Sequence, residues 1–313
     1  MKKRKYKIKT IKEKVQIVKY CQKYGSSEAV KKSGEGYIIF RFYEIINHEQ
    51  TETISRSTNS QNAVKARDLR SNDKYVLALK KAYEQYYHDG FFITKRGEKT
   101  PDGKSKAHVV ELGVLGKMLI TWHMQKPTET HVEAAIFSDY FNILFHREYT
   151  PEKVAALNEI YTAIKEKWDS KNDNPLNLDA ALFKQKAYAP YWHLFAVSLL
   201  LCNINKQHDM IPAPDAALRV IKAEGVLDEV VELAGYCTND AFMDSMYDAQ
   251  NNQRVVDPHN WPKSNKSITV LRSAVGKRMT PTSPEEKKHI AALREKLKMS
   301  KRDFEPRWGT EQQ

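Results

Sequence analysis

Apolar residues recur at helical spacing along most of the chain. After the N-cap candidates Asn72-Asp73, one helical face collects Tyr75, Val76, Leu79, Ala82, Tyr83 and Tyr86. A helix that opens at Thr150-Pro151 has a core face of Val154, Leu157, Ile160, Tyr161, Ile164 and Trp168. The pattern predicts further helices over residues 109–124, 132–146, 187–205, 215–224, 227–234, 241–251, 267–278 and 283–298. The last fifteen residues are polar, and we expect them to be frayed.

Two stretches have the character of β-strands. Tyr37–Ile45 is β-branched and aromatic, which predicts a mostly buried strand. Phe91–Thr94 predicts a short strand, and the polar loop after it contains the turn Pro101-Asp102-Gly103. The predicted fold class is therefore α+β and predominantly α, with a small sheet and helices in the N-terminal half and an all-α C-terminal half.

Changes in composition divide the chain into four predicted segments. Residues 1–35 form a basic N-terminal segment, and residues 36–170 form an α+β domain. Residues 171–280 form a helical domain, and residues 281–313 hold a terminal helix with a frayed tail. The boundary near residue 171 rests on the polar run Lys171–Pro175, which ends a helix.

The positive charge of the chain is concentrated at its start. Its net charge is +12, and residues 1–35 contain twelve Lys and Arg against three Glu, which leaves +3 for the other 278 residues. The basic tail consists of Lys2, Lys3, Arg4, Lys5, Lys7 and Lys9. Such a tail could bind nucleic-acid phosphates through counterion release, and a solvated terminus is the alternative.

Several classes of protein lack support in the sequence. No apolar run reaches the roughly 18 residues that a spanning helix needs, and no secretory signal is recognisable. The three cysteines have no metal-binding spacing. We expect a cytoplasmic protein with reduced thiols, no membrane partner and no cofactor, while the oligomeric state stays open.

Metal-dependent catalysis has only one weak candidate. A PD-(D/E)xK nuclease needs acids and a lysine around a divalent cation. Pro101-Asp102 followed by Glu111-Leu112-Gly113 matches in part, but Gly113 stands where the lysine belongs. The sequence therefore predicts no catalytic residue and no metal ligand.

The segment Arg56–Asp73 is unusually dense in amides, hydroxyls and charges. Amide side chains can read base edges or cap backbone groups, and arginines can hold phosphates. The candidate binding residues are Asn59, Gln61, Asn62, Arg67, Asp68, Arg70 and Asn72. Chemistry alone leaves an internal hydrogen-bonded knot and a ligand-binding edge equally open.

Two motifs in this segment resemble the AIPR family of abortive infection phage resistance proteins. Thr58–Val64 matches the TNSQN-like motif of the family, and Asp68–Asp73 matches its D-L-x-x-x-D segment. The resemblance covers about residues 36–150, including the Gly90-Phe91-Phe92 element. It implies a bacterial phage-defence setting and assigns no reaction to any residue.

A second family motif, I-V-N-G-x-Q-T, is altered in this chain. Ile17–Lys23 occupies its place, and Gln22 matches, whereas Lys19, Tyr20 and Lys23 replace the Asn, Gly and Thr. Loss of the glycine removes access to positive φ. We therefore expect a truncated or diverged member, with a protein encoded upstream as a candidate partner.

Three functional hypotheses follow. In the first, an AIPR-like phage-defence protein binds DNA, RNA or a partner protein without catalysis, through the seven candidates of the polar segment, Gln22 and the basic tail. In the second, the protein is a metal-dependent nuclease that needs residues from a missing upstream region. In the third, it is a structural remnant without binding activity.

Overall fold

The computed structural model describes residues 66–147, 149–169, 173–248, 253–254 and 256–309, which all belong to one compact unit spanning Ser55–Gln313. The helices of its first half are α1 (Ala66–Arg70), α2 (Lys74–Tyr86), α3 (Leu112–Trp122), α4 (Glu133–Phe137), α5 (Phe141–Phe145) and α6 (Pro151–Asp169). Those of its second half are α7 (Ala180–Phe183), α8 (Ala189–Ile204), α9 (Pro214–Ala223), α10 (Leu227–Met246), α11 (Asn265–Arg278) and α12 (Pro284–Lys296). Short 3-10 turns cover Lys106–His108, Pro127–His131, Trp261–Lys263 and Lys301–Asp303.

The strands of the described residues form three two-stranded sheets. They are β1 (Phe91–Ile93), β2 (Val109–Glu111), β3 (Met210–Pro212), β4 (Tyr247–Asp248), β5 (Gln253–Arg254) and β6 (Phe304–Pro306). β1 and β2 are parallel, while β3 pairs with β6 and β4 pairs with β5 in antiparallel fashion. The predicted fold class, α+β and predominantly α, is confirmed, although short strands also occur in the C-terminal half.

Helix α8 lies at the centre of the core. Fifteen of its sixteen residues are buried, because α3, α6, α10 and α11 pack around it. The predicted core face of α6 is buried throughout. None of the described helices is long and apolar enough to cross a membrane.

The core is continuous across the predicted boundary at residue 171. Trp168, at the end of α6, stacks on Phe183 with ring centroids 5.7 Å apart. Its indole N–H also donates to Nδ1 of His193 in α8, at 3.1 Å. Helices on both sides of the boundary therefore share one hydrophobic core, and the domain limits given above stay a prediction.

Two predicted helices are interrupted in the structure. The helix predicted over residues 109–124 begins as strand β2, because Val110 is buried opposite Phe92 in a parallel pair. The helix predicted over residues 132–146 is divided into α4 and α5. At the break, the Ser138 hydroxyl donates to the carbonyl of Ala134 at 2.9 Å, and such back-bonding competes with helix continuation.

Two other predictions need correction. The helices predicted over 227–234 and 241–251 are largely one helix, α10, in which Gly235 allows close packing: a Cβ there would lie 2.6 Å from Leu176. The expected fraying of the last fifteen residues is wrong for residues 299–309. Strand β6 pairs with β3, and Trp308 stacks on the buried His123 with centroids 3.9 Å apart. The predicted strand Tyr37–Ile45 lies outside the described residues.

The buried histidines should make stability depend on pH. Burial lowers the pKa of His193 to about 4, and it also lowers the pKa of His123. An unfolded histidine has a pKa near 6.5, so the unfolded chain takes up protons first as the pH falls. For His193, the unfolding free energy should decrease by up to about 1.4 kcal/mol per pH unit as the pH falls from about 6.5 to 4, and His123 should add a decrease of the same sign. Above pH 6.5 this contribution is fully present.

Urea unfolding at a series of pH values measures this slope. His193→Gln should remove the contribution of His193 to the slope, and His208→Gln is the matched substitution at an exposed position against which this change is judged. Equal slopes for wild type and His193→Gln would contradict the assignment.

Gly116 in α3 should tolerate no side chain. A Cβ at this position would lie 2.8 Å from Cγ2 of Ile136, in a packed core. Gly116→Ala should therefore lower the unfolding free energy by about 1–3 kcal/mol. The control is Gly276→Ala in α11, where a Cβ meets nothing within 4 Å and should stabilise by up to about 1 kcal/mol. Thermal melting compares the two, and a neutral Gly116→Ala would show that this contact can relax.

Candidate functional site

Part of the polar segment is visible at the start of the described residues. Arg67, Asp68 and Arg70 lie on α1, and Asn72 follows it at an exposed position. The other candidates, Asn59, Gln61, Asn62, Gln22 and the basic tail, lie outside the described residues. The geometry therefore addresses four of the predicted binding residues.

Arg67 is a buried cation, with 7% of its side chain exposed. Its Nη1 donates to Oε1 of Glu111, at the end of β2, and its Nε lies 3.7 Å from Oε1 of Glu133 at the start of α4. Gly113 makes room for it, because a Cβ there would lie 2.5 Å from Nη1. The absence of a side chain at Gly113 thus leaves space for the guanidinium of Arg67.

Arg96 extends these contacts into a network. Its Nη2 donates to Oε1 of Glu133 at 3.0 Å, and its Nε lies 3.8 Å from Oδ1 of Asp68. We call Arg67, Asp68, Arg96, Glu111 and Glu133 the Arg67 network. It links α1 to β2, α4 and the loop after β1 through two cations and three carboxylates.

Lys117 adds a third cation beside the Arg67 network. Burial lowers its pKa, while Glu133 and Glu111 oppose this effect. Its Nζ lies 5.8 Å from the ring of Tyr191, which stacks on Tyr161 at 5.0 Å. Burial raises the pKa of Tyr161 to about 12 and also raises that of Tyr191. Both phenols therefore keep their protons near neutral pH, and neither is suited to act as a base.

Arg70 and Asp73 also face protein groups. Nε of Arg70 donates to the carbonyl of Phe137 at 3.2 Å, and its guanidinium lies 4.2 Å from the ring centroid of Phe141. Asp73 caps α2 by accepting from the Tyr75 N–H at 2.9 Å, and its other oxygen lies 3.2 Å from Nε2 of His146. The second half of the polar segment is thus tied to the core by its charged side chains.

The weak nuclease candidate gains nothing from the geometry. Asp102 lies in an exposed turn, and the carboxylate of Glu111 accepts from Arg67. Within the described residues, no group of three His, Cys, Asp or Glu side chains could hold a metal ion.

A groove of 640 Å³ between α10, α11 and α12 is also a poor site candidate. Arg278 donates to both oxygens of Asp240, at 2.6 and 3.0 Å, and His289 lies 3.3 Å from Glu229. These lining charges are paired within the protein, which leaves little to attract a charged ligand.

The comparison with protein families covers the polar segment and its surroundings. A family model described as AIPR protein matches residues 2–210. The chain belongs to the AIPR protein family. The resemblance seen at the TNSQN-like motif is thereby confirmed, and the match extends upstream through the altered Ile17–Lys23 stretch. AIPR membership supports a role in phage resistance. Comparisons with curated proteins and with solved structures gave no match.

Glu133 and Arg96 belong to the Arg67 network, and the sequence did not reveal either of them. Glu133 is an acidic residue in the first turn of α4, a position that the helix dipole favours in any helix. Arg96 lies in a polar loop. Only the fold shows that both lie beside α1, because their partners are 28 to 66 positions away in the sequence.

Replacing Arg67 should lower the unfolding free energy of this AIPR protein more than breaking an exposed ion pair does. Breaking a fully buried pair costs about 3–5 kcal/mol. Because 42% of the Glu111 side chain is exposed, we expect Arg67→Met to cost about 2 kcal/mol. The control is Lys277→Met, whose pair with Asp244 is largely exposed and should contribute less than about 1 kcal/mol. Chemical denaturation measures both, and equal losses would refute an anchoring role for Arg67.

Proposed function

We propose that this AIPR protein acts in phage defence by binding nucleic acid, without catalysis of its own. Family membership supports the defence role. The charge of residues 1–35, +9 of the total +12, supports a polyanionic partner. The observation that carries the proposal is this concentration of charge, because Arg67 and Arg70 of the polar segment are directed toward protein groups and leave phosphate contacts to other cations.

The cations of the basic tail and those of the polar segment would therefore have different roles. Arg67 shares its charge with Glu111 and Glu133, so a phosphate would have to displace carboxylates to reach it. Phosphate contacts would then fall to the basic tail, while Asn59, Gln61 and Asn62 would supply short hydrogen-bonding groups. The Arg67 network would hold the end of the segment in place.

The structural-remnant hypothesis stays a second candidate, because it predicts that Arg67 and Asp68 form ion pairs within the protein, as they do. The two candidates differ at Asn59 and Asn62. If these amides form an internal knot, Asn59→Ala and Asn62→Ala should each cost about 1 kcal/mol or more in unfolding free energy. If they bind a ligand, the variants should melt like wild type and lose affinity.

Salt-dependent binding tests the proposed function. Fluorescence anisotropy of the full chain with a labelled DNA duplex gives the slope of log affinity against log salt. Each phosphate contact contributes about 0.9 to this slope, so the tail variant Lys3→Gln/Lys5→Gln/Lys7→Gln should reduce it by up to about 2.7.

A control variant removes the same charge elsewhere. Lys81→Gln/Lys99→Gln/Lys266→Gln alters three exposed lysines and should reduce the slope much less. Absence of any binding at low salt, for duplex and single-stranded DNA and for RNA alike, would refute the proposal. Cleavage of DNA in the presence of Mg²⁺ or Mn²⁺ would instead revive the nuclease hypothesis.

A further inference from the structure

The chain end forms a fixed segment that we call the C-terminal strap, residues 297–309. Asn205, after α8, donates to the carbonyl of Leu297 at 3.0 Å and accepts from the Met299 N–H at 2.7 Å. Strand β6 then pairs with β3, and the Trp308 N–H donates to the carbonyl of His123 at 3.1 Å. The backbone of the strap is thus hydrogen-bonded along its length, to the Asn205 side chain, to β3 and to His123.

A cluster of unpaired cations lies at the start of the strap. Residues 296–302 contain Lys296, Lys298, Lys301 and Arg302 and no acid, and all four side chains are exposed. Lys206 is exposed as well, and it follows Asn205, which bonds on both sides of Lys298. Among the described residues, none of these five cations has a carboxylate within ion-pair distance. We call them the strap cluster.

Ordinary structural roles account for only part of this charge. Lys296 lies in the last turn of α12, where the helix dipole favours a cation by about 0.3–1 kcal/mol. Lys298 lies just past the end of that helix, whereas Lys301 and Arg302 lie in the 3-10 turn Lys301–Asp303. The acids of the strap are paired with other cations: Asp303 with Arg219 at 2.9 Å, and Glu305 with Lys153. Glu295 adjoins Lys296 and Asp209 lies three residues after Lys206, so these carboxylates offset only part of the charge and the strap cluster keeps an excess of positive charge.

We propose that the strap cluster is a docking surface for the phosphate backbone of a nucleic acid. Lysine and arginine that outnumber the neighbouring acids on a surface attract phosphates and release counterions when they bind. The backbone of the strap is already ordered, so docking would require ordering only the side chains. This inference rests on the proposed function and adds a second contact surface, beyond the basic tail and almost entirely outside the family match.

A membrane surface is a less suitable occupant. Peripheral binding to anionic lipid usually combines basic residues with apolar side chains that enter the headgroup region. The large apolar residues of the strap, Leu297, Met299, Phe304 and Trp308, are all buried. The strap cluster therefore offers charge without an apolar anchor, and charge alone fits the regular phosphates of a nucleic acid.

Contacts to phosphates carry little sequence information. Binding through the strap cluster should therefore be similar for duplexes of different sequence and steeply dependent on salt. The test variant is Lys298→Gln/Lys301→Gln/Arg302→Gln in the full chain, and the matched control is Lys81→Gln/Lys99→Gln/Lys266→Gln. The three strap side chains make no hydrogen bond or ion pair with described residues, so the variant should melt like wild type.

Anisotropy titrations with a labelled DNA duplex between 50 and 200 mM salt measure the effect. If all three strap residues contact phosphates, the slope should fall by about 2.7, so affinity should drop about 40-fold less across this salt range than for wild type. The control variant should keep the wild-type slope.

The outcomes separate this inference from the proposed function. If the strap variant behaves like the control while the tail variant loses affinity, the strap inference is overturned and the proposed function stands. If wild type binds no nucleic acid, both fail. Binding to vesicles of anionic phospholipid that depends on the strap cluster, without binding to nucleic acid, would also overturn the assignment.

Discussion

Near-complete burial of α8 is the constraint on which the rest of the described structure depends. A helix with fifteen of sixteen residues buried must be covered on every side, and α3, α6, α10 and α11 do this. Full burial of each large apolar side chain contributes about 1.5–3 kcal/mol, which makes this helix the main source of cohesion. Its buried histidine, His193, is satisfied as a neutral ring: Trp168 donates to Nδ1, and Nε2 donates to the carbonyl of Val231.

The described part of the polar segment contacts this core largely through charged side chains, while Ala66 also packs against it. Arg67 reaches Glu111 and Glu133, so one guanidinium joins a helix, a strand end and a second helix that are far apart in the sequence. Such a network fixes geometry more effectively than it adds stability, because desolvation offsets much of the attraction. The family motif therefore combines a charged half, used for positioning, with an amide half that the proposed function assigns to binding.

Local signals made much of the fold predictable. Thr150-Pro151 and Ser283-Pro284-Glu285-Glu286 mark helix starts that the structure contains, and the second forms a capping box. Non-local contacts were not predictable: Val109–Glu111 became a strand only because Phe91–Ile93 pairs with it, and polar residues near the chain end are ordered by β3 and His123. For the site, the motif located Arg67 and Asp68, but their partners depend on tertiary packing.

The pairing of β6 with β3 also bears on how the chain acquires its structure during synthesis. Ile211 lies opposite Glu305, which is more than ninety residues later in the sequence. During synthesis, β3 is therefore made well before the strand that pairs with it. Until then, the carbonyl of Pro212 and the indole of Trp122 that bonds to it lie at an open edge. Closing so long a loop is slow relative to forming local helices. Strand β6 can therefore pair only after the helices before it have formed. A chain that ended before residue 304 would leave the edge of β3 unpaired.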